Sequence, residues 1–148
     1  MAIVKKVSRR FLKELGLGTI NFSTDTFLVI LMDDAFVFDP ETHGTYSAVS
    51  DSELATGNGY TEKDKELVEG DAWDEDSGSD IKAAMTWEDA LWTASSGNIG
   101  PTSGAIVIDD THANDVVVGH IAFETDVTVE DGLSFELRDL GFDLEVKE

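Results

Sequence analysis

The hydrophobic pattern changes its period near Thr26, and the two periods predict a short helix followed by a series of strands. Before that point, four apolar residues recur at spacings of three and four, namely Val4, Val7, Phe11 and Leu15. This spacing is typical of one face of an amphipathic helix. Gly16 and Gly18 follow at the place where such a helix is expected to end. We therefore predict a helix over residues 4–15.

After Thr26 the apolar positions follow the pattern of strands. Residues 27–32 (FLVILM) form a continuous apolar run whose length favours a strand buried on both faces. Residues 133–138 and 142–147 instead alternate between apolar and polar side chains, which is typical of half-buried strands. The pattern therefore predicts both central and outer strands.

Further strands are expected between these segments. Residues 105–108 and 116–123 have the composition of core strands, and the residues that connect them, 109–115, are rich in turn formers. One or two more strands are expected within residues 81–93, and a helical turn within 47–55. Many short strands with Gly-rich and Asp-rich turns indicate a mainly β fold, a β-sandwich or jelly roll. We expect two parts: an N-terminal helix or arm at 1–18, and a β-sandwich domain at 19–148.

Composition narrows the classes of protein to which the chain can belong. Its 148 residues match one ordinary domain, and 41% of them are hydrophobic, enough for a packed core. The formal net charge of −21 argues against nucleic acid as a partner, since phosphates would be repelled. The absence of cysteine excludes disulfides, thiolate metal sites and cysteine nucleophiles. No stretch is long and apolar enough for a membrane span, and no signal peptide is recognisable.

The charge is distributed unevenly along the chain. Residues 1–15 carry a balance of +4, so the other 133 residues carry −25. One interpretation is a helix that packs on its own domain, with its cations paired to nearby acids. The alternative is a docking arm that contacts a neighbouring subunit through six residues: Val4, Val7, Arg9, Arg10, Phe11 and Leu15. A helix lying on a membrane surface is disfavoured because so acidic a body would be repelled by anionic lipid.

Two acidic clusters are candidates for metal binding, and neither has a convincing spacing. Residues 69–80 contain six acids, but their glycine and glutamate positions do not match a calcium-binding EF-hand loop. We expect an exposed, solvated loop there. The second cluster is Asp109, Asp110, His112 and Asp115, which we expect to form a turn. We predict no metal site and no cofactor.

Catalytic motifs are also missing from the sequence. The three histidines lack metal-protease spacing, and His120 is expected to be a satisfied or surface histidine within a strand. No nucleophile elbow, phosphate-binding loop or dinucleotide fingerprint is present. Three aromatic residues can be considered as a carbohydrate-stacking platform, namely Trp73, Trp87 and Trp92, although in a small sandwich such residues more often fill the core. An enzyme is therefore not expected.

Six segments, taken in order, resemble a family of small virion structural proteins of tailed viruses that infect bacteria and archaea. These segments are residues 20–26 (INFSTDT), 39–43 (DPETH), 57–61 (GNGYT), 92–95 (WTAS), 105–115 (AIVIDDTHAND) and 118–123 (VGHIAF). Each motif alone is ordinary, and it is their order and spacing that resemble the family. The resemblance implies a β-sandwich component of the virion, of the decoration, head or tail type, without catalytic residues.

These observations lead to three hypotheses about function. The first is a capsid decoration protein on the outside of the virion that binds the major capsid protein and assembles as a homo-oligomer, a trimer by shell symmetry. The second is a neck or tail ring or adaptor subunit, and the third a carbohydrate-binding or receptor-binding module. The surplus of acids further suits a halophilic host, because molar salt screens self-repulsion.

Overall fold

The structure is a computed structural model that describes residues 4–69, 74–76 and 81–146, and most of its elements are antiparallel strands. One α-helix, α1, spans Arg9–Gly16, and two short 3₁₀ helices span Tyr46–Ala48 and Ser50–Ser52. The strands are β1 (Val4–Val7), β2 (Phe27–Asp33), β3 (Asp74–Asp76), β4 (Ile81–Thr86), β5 (Ala90–Thr93), β6 (Ile99–Asp109), β7 (Val116–Val129), β8 (Ser134–Leu137) and β9 (Gly141–Val146). The mainly β fold predicted from the sequence is confirmed.

The strands form three sheets that share one apolar core. The largest has the order β1-β7-β6-β2, and the smaller ones are β3-β4-β9 and β5-β8. The core contains buried residues from the four-stranded sheet and from both smaller sheets, including Phe27, Val29, Leu31, Val107, Val118 and Ile121 on one side and Met85, Trp87, Trp92, Leu137 and Phe142 on the other. Because the inner faces of the sheets meet in this way, the architecture is sandwich-like.

A second apolar cluster lies on the opposite face of the four-stranded sheet. There, alternate residues of β2 and β6 pack against the segment that follows β2, in a cluster of Leu28, Ile30, Met32, Phe38, Val49, Ile106, Ile108 and Val117. Since successive side chains of a strand point to opposite faces, β2 supplies residues to both clusters. The prediction that residues 27–32 form a strand buried on both faces is confirmed.

The middle of β7 contains a bulge that the sequence pattern does not reveal. Val107 is opposite Gly119, whereas the next residue of β6, Ile108, is opposite Val117, so β7 has one extra residue at this point. As a result Val118 and Ile121 face the same core although they are three residues apart. The bulge therefore reverses the alternation of inward and outward side chains along the strand.

The predicted helix over residues 4–15 is wrong in its first half. Val4 and Val7 lie in β1, which pairs with β7 in an antiparallel register of Val4 with Ala122 and Val7 with Gly119. The helix begins after Ser8, whose hydroxyl oxygen accepts the backbone N–H of Phe11 at 2.9 Å. Such a cap satisfies one of the free N–H groups of the first turn, so it sets the helix start.

The remaining elements agree with the sequence pattern in most places. Two strands, β4 and β5, occupy the region 81–93, and the two 3₁₀ helices overlap the expected helical turn at 47–55, the first of them beginning one residue earlier, at Tyr46. Residues 110–115 form the predicted turn between β6 and β7. The predicted acidic loop at 69–80 lies partly outside the described residues, and Asp74–Asp76 within it is strand β3 rather than loop.

Candidate docking site at the edge of the four-stranded sheet

An apolar groove of about 400 Å³ runs along β1, which is the edge strand of the four-stranded sheet. Its walls are formed by β1, β6, β7 and the segment after β2, with the lining residues Val4, Lys6, Phe36, Val37, Phe38, Ser103, His120, Ala122, Phe123 and Asp126. Most of this lining is apolar. The groove can therefore accommodate an apolar side chain from a partner.

Strand register explains why the side chains of β1 and β7 meet in this groove. Lys6 is opposite His120, and Val4 is opposite Ala122. Directly paired residues of an antiparallel ladder project to the same face of the sheet. The side chains of these four residues therefore form the floor of the groove, with one row from β1 and one from β7.

The segment after β2 supplies the aromatic wall of the groove. A tight turn precedes it, in which the Asp33 side chain accepts the backbone N–H of Ala35 at 3.0 Å. The Phe38 ring then stacks on the His120 imidazole with centroids 5.2 Å apart, and the Phe36 ring meets the same imidazole edge to face at 5.5 Å. These contacts fix the wall, since aromatic pairs favour such offset and edge-on geometries.

His120 is buried, which corrects the sequence-based expectation of a satisfied or surface histidine. It is 6% exposed, and its Nε2 atom has no hydrogen-bond partner among the described residues. Burial, helped by the charges of Lys6 and His43, lowers the pKa of His120 to about 4. The imidazole is therefore neutral at pH 7 and contributes to the groove as a flat, largely apolar ring.

Two valines at the rim leave apolar surface open to solvent. Val37 is 80% exposed and Val4 is 57% exposed. Both lie beside the aromatic wall, so the exposed valines and the groove form one continuous apolar patch. Patches of this kind mark sites of contact with other proteins more often than an isolated exposed side chain does.

The six residues predicted as a docking arm do not share one surface. Phe11 is fully buried in the protein's own core, and Val7 and Leu15 pack against that core. Arg10 forms a 2.6 Å ion pair with Glu14 of the same helix. The outward-facing members are Val4, at the groove, and Arg9, on α1.

Sequence reasoning did not single out the aromatic wall at residues 36–38. The available signal was a Phe-Val-Phe run directly after the turn at Asp33 and Asp34, where polar residues are the rule. An apolar run in a connecting segment indicates either that the segment covers one face of a sheet or that it presents apolar side chains to solvent. Here the segment does both. Phe38 covers the sheet while Val37 faces solvent.

A network of hydrogen bonds around Glu53 fixes the loop that follows the 3₁₀ helices. The buried Glu53 carboxylate accepts the hydroxyl groups of Tyr46 and Tyr60 and the backbone N–H of Lys63, each at 2.7 Å. The same loop pairs with β2 through backbone hydrogen bonds such as Leu54 N–H to Leu31 C=O at 2.9 Å. The loop is thereby fixed on the outer edge of β2.

The second acidic cluster, at the turn after β6, consists of residues with structural partners. The Lys63 ammonium lies 2.8 Å from Asp115 and 3.2 Å from Asp110. Asp109 accepts the backbone N–H groups of Thr111 and His112. Its burial, together with the carboxyl of Asp25, raises the pKa of Asp109 to about 7. These contacts show that the residues of the cluster stabilise the turn between β6 and β7.

Other classes of site are not evident in the described part of the chain. Residues 4–69, 74–76 and 81–146 contain no group of three potential metal ligands and no helix able to cross a membrane. Trp87 and Trp92 are 7% and 4% exposed, so neither presents a face on which a sugar ring can stack. Trp73 lies outside the described residues.

Comparisons of the chain with protein-family models, with curated proteins and with solved structures found no match.

Proposed function

We propose that this chain is a virion structural protein of a tailed virus, and that it acts as a decoration protein docking on the major capsid protein. The observation that carries the proposal is the apolar groove beside the edge strand β1, with the exposed valines at its rim. The resemblance of the ordered sequence motifs to such virion proteins supplies the identity of the partner. The sandwich-like, mainly β fold agrees with that class.

The chemistry of the groove indicates what kind of segment the capsid protein would insert. An apolar side chain fills the space between Val37 and the His120 ring, and its backbone runs beside β1 in the manner of an added strand. Lys6 lies on the floor of the groove, and Asp126 also lines it. An acidic residue of the partner that contacts Lys6 would therefore be favoured by charge.

The copy number of the protein tests this function. Quantitative mass spectrometry of purified particles would compare this chain with the major capsid protein, and a ratio near one per capsid subunit is expected for a decoration protein. A handful of copies per particle would replace the shell role with a neck or tail position. Absence from the particle would overturn the proposal.

A pair of valine variants tests the groove itself. We expect Val37→Asp to weaken binding to particles at least about tenfold, because it places a charge in a contact that must lose its water. Val68→Asp is the matched control, since Val68 is 57% exposed and lies outside the groove lining. Equal binding by both variants would exclude the groove as the docking site.

A further inference from the structure

Four aromatic rings contact one another at the groove, and two of them are imidazoles. The His120 ring lies 5.2 Å from the Phe38 ring and 5.5 Å from the Phe36 ring, measured between centroids. The His43 ring lies 5.2 Å from the Phe36 ring and 5.9 Å from the Phe38 ring. Residues 34–44 belong to no helix or strand, so these contacts are a large part of what holds the aromatic wall on the sheet. We call these four residues the ring cluster.

The position of His120 in the ring cluster suits a neutral imidazole. Its Nε2 atom is buried over the backbone of Gly104 and has no hydrogen-bond partner among the described residues. A protonated imidazole donates from both of its nitrogens. The proton on Nε2 would then point into the protein without an acceptor, and a buried donor that is left unpaired destabilises the arrangement that buries it. The ring cluster therefore accepts His120 only in its neutral form.

The charges that face the His120 ring also oppose a proton on it. Lys6 is opposite His120 on β1, and His43 approaches from the segment after β2. The strand beneath the ring, β6, contributes no charge there because it passes at Gly104. On β7 itself, Asp126 lines the groove six residues further along and is not among the groups that act on the imidazole. A protonated His120 thus meets cations rather than a carboxylate.

His43 supports the same wall through a second bond that acid breaks. Its Nδ1 atom accepts the backbone N–H of Asp39 at 3.0 Å. That nitrogen can accept only while it carries no proton, because both nitrogens of a protonated imidazole are donors. The Asp39 carboxylate also interacts with a charge on His43, so a proton on this ring has a partner while the backbone bond is lost. Protonation of His43 therefore loosens the segment that carries the aromatic wall.

We propose that acid opens the groove: when His120 takes up a proton, its ring leaves the ring cluster and the aromatic wall at residues 36–38 moves away from the sheet. The groove then loses one wall, and an apolar side chain seated in it loses the contacts on that side. The consequence for docking rests on the proposed function, since the segment released would be that of the capsid protein. The opening itself is a property of this chain alone.

Amide hydrogen exchange of the isolated protein, followed by NMR, would measure the opening. The reporters are the N–H groups of Phe36 and His43, which donate to the carbonyls of Asp33 at 3.3 Å and Asp39 at 2.9 Å. Their protection factors, which remove the intrinsic effect of pH on exchange, are expected to fall at least about tenfold between pH 7 and pH 4.5. At pH 4.5 they should stay at least about tenfold below that of Ile106 in β6, because the wall opens while the sheet remains folded.

Lys6→Glu distinguishes protonation of His120 from a general effect of acid. The variant keeps both histidines and places a carboxylate opposite His120, so the protonated ring gains a partner inside the groove. We expect its wall protection to fall less than about threefold over the same pH range. Lys13→Glu is the matched control, because it gives the same net charge of −23 from an exposed position on α1 outside the groove lining. It should show the full tenfold loss of the wild-type protein.

His120→Phe provides a second test, since a phenyl ring cannot take up a proton, and its wall protection should be nearly independent of pH. Circular dichroism at pH 7 would verify the fold of each variant, and Lys6→Glu tests the proposal even if His120→Phe does not fold. Wall protection in the wild-type protein that is equal at the two pH values would overturn the proposal. Equal losses in Lys6→Glu and Lys13→Glu would overturn it as well. Neither outcome bears on the copy number in particles, so the acid-opened groove and the proposed function fail separately.

Discussion

The imidazole Nε2 atom of His120 lies 2.7 Å from the point that a β-carbon on Gly104 would occupy. The same β-carbon would also lie 2.5 Å from the carbonyl oxygen of Ile121. The backbone of β6 therefore passes beneath the buried histidine with no room for a side chain. This close approach brings β6, β7 and the aromatic wall of the groove together.

Gly104→Ala tests this close approach. We expect the substitution to lower the free energy of unfolding by about 1–3 kcal/mol, because a fixed backbone carbonyl and a packed ring must both move. Urea unfolding followed by fluorescence would measure the loss. Gly16→Ala is the matched control at the end of α1, since a β-carbon there would meet no atom within 4 Å, and it should be neutral or slightly stabilising.

His120 is expected to make stability depend on pH in the acidic range. Its folded pKa of about 4 lies below the value near 6.5 of an unfolded histidine, so the unfolded state binds the proton more tightly. The stability that depends on a neutral His120 is therefore fully present above pH 6.5 and is lost as the pH falls toward 4. We expect His120→Phe, which does not titrate, to lose less stability than the wild type between pH 7 and pH 5.

Thermal unfolding at these two pH values would measure that difference. The comparison uses the change with pH within each protein, so any loss from fitting the larger phenyl ring over Gly104 cancels. Other titrating groups are common to both proteins. An identical pH dependence in the two would show that His120 is protonated in the folded state as readily as in the unfolded chain.

Asp109 is expected to give stability the opposite dependence on pH from that of His120. Its folded pKa of about 7 lies above the usual value near 4, so its contribution to stability is complete below pH 4 and is lost as the pH rises through 7. Asp109→Asn retains an oxygen for the N–H groups of Thr111 and His112 without the charge. We therefore expect it to stabilise the protein by about 1–3 kcal/mol at pH 8 and by less at pH 5.

Calorimetric melting temperatures at pH 5 and pH 8 would check this expectation. The control is Asp64→Asn, which removes the same charge from an exposed position. If both substitutions stabilise equally at pH 8, the gain reflects the lower net charge of the molecule rather than relief of a buried carboxylate.

Salt is expected to stabilise the whole molecule. A net charge of −21 on one small domain favours unfolding through self-repulsion, and 1 M salt limits the range of that repulsion to about 3 Å. We expect the melting temperature to rise by several degrees between 0.1 M and 1 M NaCl. The double variant Asp51→Lys with Asp64→Lys, whose net charge is −17, should gain less stability from salt. A melting temperature independent of salt would remove the argument for a halophilic host.

The sequence predicted the strands whose pattern is dominated by burial. Residues 27–32 are apolar without interruption because β2 lies between two apolar clusters, and burial on both faces leaves little ambiguity. The N-terminal segment was harder, since Val4 and Val7 fit both a helical spacing and the strand they form beside β7. Ser8, which caps the helix, marks the boundary between β1 and α1. In the sequence, a single serine is a weaker indication of a helix start than the apolar spacing around it is of a continuous helix.

The bulge in β7 and the apolar groove beside β1 lie beyond what a periodic pattern can predict. An extra residue near Val118 changes which side chains face the core, and this depends on the partner strand β6. The groove likewise depends on long-range pairing, because Lys6 and His120 are brought together by strand register. Of the six residues predicted for docking, Val4 lies at the groove, and the aromatic wall was not foreseen.

The loop fixed by Glu53 has a consequence for a protein packed at high concentration. A flat apolar strand such as β2 would be a template for runaway growth of β-structure if its outer edge were open. Backbone pairing with that loop, at Leu54 and again where Val29 N–H donates to the Lys65 carbonyl at 2.9 Å, occupies this edge. Copies of the chain can then be concentrated without fusing their sheets along β2.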